Sequence, residues 1–230
     1  MMRKIIGKII DIVLPPKGED TASKEAPSPP PAGVKTVSLE QLLGGALGEP
    51  PAEPDLRVIG LYSSVEDEKI AELTQALLYL NEMNRLLPEG KEKKPVEFYI
   101  NTYGGSADDM FAMYDVMQSV MEETEIHTIG VGKVMSAGTL LLAAGTKGKR
   151  KIGKNCRVMI HNVAAGNFGN LPNLANELEA IQTLQEDYIA AMVDNTKFTR
   201  KKLEKLLNEK VNIYLSAEEA VKYGLADEIM

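Results

Sequence analysis

Two side chains in this sequence could together break an acyl bond. Ser136 lies in the stretch GKVMSAGTLLLAAG, residues 132–145, among small residues and just before the apolar run Leu140-Leu141-Leu142-Ala143-Ala144. That run has the composition of a buried helix. A helix opening at a serine turns the unpaired N–H groups of its first turn and the positive end of its dipole toward the hydroxyl, where they would stabilise an oxyanion. The ordinary use of such a serine is an N-cap, so a chemical role needs a partner. His161 ends the short apolar segment Arg157-Val158-Met159-Ile160 and is one of two histidines in the chain. Serine with histidine makes a nucleophile and its general base. The pair Gly104-Gly105 suits a tight turn, and it also lets backbone approach a substrate and offer a second N–H to an oxyanion. An α/β-hydrolase elbow is not present, because Val134 stands where G-x-S-x-G requires glycine.

These residues must be positioned by the elements around them. Residues 57–62 read as a strand, 66–87 as a helix with Ile70, Leu73, Leu77, Leu80 and Met83 on one face, and 96–100 as a second strand. A second helix follows at 107–121 and a third strand at 126–131. Strand, helix, strand, helix, strand implies parallel units with right-handed crossovers, whose ligands bind beyond the carboxyl ends of the strands. The glycine-bearing turns at 101–105 and 132–138 are expected at two such ends, and His161 at the end of a further strand. Residues 171–196 place Leu171, Leu174, Leu178, Ile181, Leu184, Tyr188 and Met192 at helical spacing. Such a helix is roughly 40 Å long, so part of it is expected to project and meet another subunit. Thr199 can cap a helix over 200–208, and a last helix is expected over 217–223, ending at Gly224.

Composition excludes several functions. The net charge of −7 and the lack of a long basic cluster give nucleic-acid binding no support. The single cysteine, Cys156, excludes an intrachain disulfide and is expected to pack as a small apolar side chain. Two histidines cannot make a His-rich metal centre, and no cofactor site is expected. Residues 1–14 form a basic amphipathic segment, too short for a transmembrane span and not followed by a signal cleavage site. A Pro-rich linker at 15–33 and a short helical island at 37–47, with Ser38 and Gln41 at capping-box spacing, complete an extension over 1–54. The folded domain is expected over 55–230.

Four motifs carry a resemblance. They are IN-x-x-GG at Ile100 to Gly105, G-x-x-x-S-x-G-x-x-L-L-x-A-G-x-K-G-K-R at Gly132 to Arg150, RVMIH at Arg157 to His161, and YLSAEEAVKYGLADEI at Tyr214 to Ile229. In this order and spacing the chain resembles the proteolytic subunit of the Clp protease (ClpP) over about 57–230. The resemblance implies an α/β, crotonase-like fold of stacked β-α units with a projecting handle helix. It implies a cytoplasmic double ring of seven-subunit layers, as homo-oligomer or mixed ring, that cleaves unfolded polypeptides. It also implies an AAA+ unfoldase partner such as ClpX or ClpA, which uses the ATP. Carried over by position, Ser136 resembles the nucleophile, His161 the general base, and the N–H groups of Gly105 and Ala137 the oxyanion hole.

The third member of the triad departs from the pattern. Asn212 stands where the family has aspartate, and an amide can accept from the imidazole but cannot neutralise an imidazolium. A serine protease carrying such a change lost about 10⁴ in turnover. Glu209, one helical turn earlier, is a conceivable substitute carboxylate. Tyr103 replaces a proline, Val163-Ala164-Ala165-Gly166 replaces Pro-Leu-Gly-Gly, and Glu97 stands where an aromatic usually lines the unfoldase's docking pocket. Two further readings stay open: a weak or inactive structural subunit of a mixed ring, and an acyl-CoA enzyme of the crotonase superfamily.

Overall fold

The computed structural model describes residues 55–166, 168–209 and 211–230. The amphipathic start, linker and helical island expected within 1–54 lie outside the described residues. Strands β1 (Val58–Leu61), β2 (Val96–Thr102) and β3 (Ile126–Met135) run parallel in chain order, and β4 (Lys151–Ile152) and β7 (Glu228–Ile229) extend the same sheet. Parallel neighbours need crossovers, which α1 (Asp67–Arg85) and α2 (Ala107–Val120) supply. Each helix buries the face that its spacing marks: Ile70, Leu73, Leu77 and Leu80 on α1, and Met110, Met113, Met117 and Val120 on α2. Along β2, Val96, Phe98, Ile100 and Thr102 are buried while Glu97, Tyr99 and Asn101 point outward. That period-two pattern gives the sheet a core face and an outer face.

β3 corrects one expectation. The strand does not stop before a turn at Gly132 but continues to Met135. Gly132 takes a φ of +64°, which bends the strand without ending it. On one side β2 stays paired across the bend, Thr102 opposite Val134 after a register shift; on the other, β4 before the bend gives way to β5 (Arg157–Ile160) after it, in parallel, Lys133 opposite Arg157 and Met135 opposite Met159. The bend therefore brings the carboxyl ends of β3 and β5, and so Ser136 and His161, to one edge of the sheet.

The helix after Ser136, α3 (Ala137–Ala143), is buried at every residue. The next helix, α4 (Leu171–Asn195), is different along its length: residues 171–180 are exposed, and only Tyr188, Ile189, Ala191 and Met192 are buried. It stands on the domain by its second half and projects by its first. In α5 (Arg200–Glu209), Leu203 and Leu207 pack into the core, and Thr199 Oγ1 accepts from the Lys202 N–H at 3.3 Å as its cap. β6 (Ile213–Leu215) pairs antiparallel with β5, and α6 (Ala217–Lys222) opens with a reciprocal capping box between Ser216 and Glu219.

Candidate active site

Ser136 occupies the N-cap position of α3, yet its side chain caps nothing. Its backbone takes φ +53° and ψ −124°, and it is the only residue other than glycine with positive φ among the described residues. Such a conformation costs on the order of 1–3 kcal/mol and persists only where its surroundings over-determine it. Three contacts do so. The Ser136 N–H donates to Met159 C=O at 2.8 Å, and the Ser136 carbonyl accepts from both the N–H and the hydroxyl of Thr139, at 2.9 and 2.6 Å. Opposite the side chain, Gly104 has φ +98°, and a Cβ there would lie 2.5 Å from Ser136 Cβ. Only glycine leaves that space.

The freed hydroxyl meets His161, whose Nε2 lies 2.8 Å from Ser136 Oγ. Both line a cleft of about 210 Å³ with Gly105, Ala137, Met110, Val163 and Tyr188. Gly105 is held by a parallel bridge to Val65, in which Val65 N–H donates to Gly104 C=O and Ser106 N–H to Val65 C=O. That bridge leaves the Gly105 N–H unused, and the Ala137 N–H, first of its helix, also donates to no described group. The structure thus brings Ser136, His161, Gly105 and Ala137 to one cleft.

Asn212 is not joined to them by a hydrogen bond. The β5–β6 register pairs Ile160 with Ile213, so His161 and Asn212 are the next pair in line, but Asn212 is exposed and makes no side-chain hydrogen bond among the described residues. Glu209 lines a second pocket, of about 430 Å³, with His161 but without Ser136. Its ionic partner is Lys205 at 3.7 Å, not His161. The other histidine, His127, pairs with Glu125 at 2.8 Å and takes no part in the cleft. Cys156 is buried, and burial pushes its thiol up to about 11.

The sequence model of the Clp protease family matches residues 54–230. The chain is also 34% identical over 174 residues to the ATP-dependent Clp protease proteolytic subunit of Deinococcus radiodurans, covering 76% of this chain and 80% of that one. The chain belongs to the Clp protease family. The crotonase-like α/β fold with its handle helix, α4, is the architecture of that family.

Two features of this Clp-family chain escaped the reading of its sequence. Thr139 and Tyr188 join the site from beneath: the two hydroxyls lie 3.0 Å apart, and Tyr188 is buried on α4. A lone threonine in an otherwise apolar buried run was the available signal, since a buried hydroxyl needs a partner. The second feature is Arg150, which donates to Asp227 from Nε at 2.8 Å and from Nη2 at 2.6 Å, and from Nη1 to the carbonyls of Ala143 and Asn195. One guanidinium therefore ties together the ends of α3 and α4 and the chain leading into β7.

Proposed function

We propose that this chain is a serine endopeptidase subunit of a Clp-type protease, in which Ser136 attacks the peptide carbonyl and His161 moves the proton. The observation that carries the reading is the 2.8 Å approach of His161 Nε2 to Ser136 Oγ in a cleft beside two N–H groups that donate to no described group. As Oγ bonds to the carbonyl carbon, Nε2 takes its proton, and the N–H groups of Gly105 and Ala137 receive the oxyanion. His161 then gives the proton to the leaving amine, and water, deprotonated by the same nitrogen, releases the acyl group. Asn212 takes the position of the orienting residue. No step in this scheme calls for a metal or cofactor.

Substrates on this reading are unfolded polypeptides, cut in the cytoplasm inside a ring and delivered by an AAA+ unfoldase of the ClpX or ClpA kind. The outer face of the sheet suits such docking, with exposed Val58 on β1 and Tyr62 just after it, and half-exposed Tyr99 on β2 opposite Gly60. Glu97, opposite Val58, puts a carboxylate in that patch, and its charge raises the Tyr99 hydroxyl above its usual value. The partner loop this face would take therefore carries a donor or a cation beside its apolar residues.

The test is hydrolysis of a short fluorogenic peptide by the assembled chain, with Ser136→Ala as the blank. Activity lost in Ser136→Ala is expected; equal rates from both proteins would refute the assignment. A second reading, a structural subunit of a mixed ring, is favoured by the missing Asn212–His161 hydrogen bond. It predicts an assembled but silent homo-oligomer.

A further inference from the structure

The nucleophile's unusual backbone is secured from α4, the helix that projects from the domain. Tyr188 OH lies 3.0 Å from Thr139 Oγ1, and that hydroxyl lies 2.6 Å from the Ser136 carbonyl oxygen. Directionality follows from valence. The Ser136 carbonyl can only accept, so Thr139 donates to it, and Thr139 Oγ1 is left to accept from Tyr188. Both partners are enclosed: Thr139 is 0% exposed and Tyr188 4%. No water competes, so each bond is costly to lose. Burial pushes the Tyr188 hydroxyl up to about 12, so it stays protonated and able to donate throughout the working range.

One turn earlier on the same face of α4, Gln185 Oε1 accepts from the Val163 N–H at 2.7 Å, two residues after His161. The base of α4 thus reaches both strand ends that carry the site.

We propose that Thr139 and Tyr188 are positioning residues for the peptidase reaction, forming a relay Tyr188 → Thr139 → Ser136 C=O that holds the nucleophile in its positive-φ conformation. This rests on Ser136 being the nucleophile. Without the relay the Ser136 carbonyl keeps only the Thr139 N–H, and the residue can relax toward an ordinary N-cap. Its hydroxyl would then turn toward the first-turn N–H groups of α3 and away from His161. The group held is the backbone of Ser136, so loss of the relay is expected to slow attack more than it weakens substrate binding, even though Tyr188 also lines the cleft.

The test measures the second-order rate at which a fluorophosphonate phosphonylates Ser136, with fluoride as the leaving group, together with kcat and KM for a short peptide. It uses the full chain and, as a second background, Asn212→Asp. Thr139→Val removes the hydroxyl at nearly constant volume and is expected to lower labelling and kcat at least about tenfold with KM within about twofold. Tyr188→Phe is expected to lose about three- to tenfold by the same split, being one bond further away. Thr139→Ser keeps the hydroxyl and is expected to restore most of the rate. Labelling within twofold of the parent in both Thr139→Val and Tyr188→Phe overturns the relay. So does a Thr139→Ser protein as slow as Thr139→Val, because packing of the methyl group would then be the cause. Failure of Ser136 to label in any protein, Asn212→Asp included, overturns the assignment of Ser136 and the relay with it.

Discussion

At the scale of single residues, the one asymmetry in the site is charge. In the proposed mechanism His161 becomes an imidazolium during attack, and the position next in register to it holds a neutral amide whose side chain makes no hydrogen bond among the described residues. Asn212→Asp puts a carboxylate there, and we expect it to raise kcat at least about tenfold with little change in KM, against a possible span of about 10⁴ for this change in a serine-protease triad. Unchanged peptide hydrolysis in steady-state assays would show that the orienter is not limiting. Cys156 offers a separate check on the fold at this scale. Buried and held as a thiol by a value near 11, it should resist iodoacetamide at pH 7.5 in the native chain and react fully in urea. Rapid labelling of the folded protein would contradict that placement. Ser136 and His161 could be read from the sequence because one stands just before an apolar run that forms a helix and the other just after an apolar run that forms a strand. The positive φ at Ser136 could not, since it is imposed by Gly104, Met159 and Thr139, which lie far apart in sequence or act through backbone groups that carry no residue signature.

Elements report themselves through periodicity when one face is buried, and this accounts for what was legible here. The helices α1, α2 and α4 and the strands β1, β2 and β5 fall where alternating or 3.6-residue patterns put them. The two-residue strands β4 and β7 are too short to show any period, and the second half of β3 was hidden by Gly132, which as readily marks a turn as a bend. What joins these elements is Arg150. Replacing it by methionine strands Asp227 and the end carbonyls of α3 and α4, and we expect a loss of about 3–5 kcal/mol, or roughly 10 °C in Tm, by thermal unfolding. A shift below 2 °C would mean the cluster is dispensable. Asp227 adds a dependence on acid. Burial alone would raise its carboxyl, but the Arg150 guanidinium and the N–H groups of Arg150 and Gly148 outweigh that and hold it below its ordinary value. Its native value lies under its unfolded one. The stability it gives is therefore complete above the usual carboxylate range and is lost as pH falls through the native value. Asp227→Asn should flatten the acid limb of a stability–pH curve below pH 5 relative to the parent.

At the scale of the whole molecule, the two halves of α4 differ in what they meet. Its first half buries nothing within the subunit, yet Leu171, Leu174 and Leu178 stand on it at helical spacing, 80%, 39% and 56% exposed. We propose that this apolar stripe is an association surface, which a closed oligomer would pair with the same stripe on a second copy. Its second half holds Tyr188 under Thr139 and Gln185 under Val163. Leu174→Lys combined with Leu178→Lys should shift the assembly to smaller species in sedimentation velocity. The melting of that smaller species should match what one subunit can hold alone, because neither leucine contributes to its core. Fluorophosphonate labelling of Ser136 should fall as well, though every group of the cleft is intact, because an unpaired α4 no longer fixes the relay at its base. Full-sized particles from the double variant would refute the interface. Small particles that label at the parent rate would keep the interface and separate it from the chemistry, placing the whole burden of holding Ser136 on contacts within one subunit.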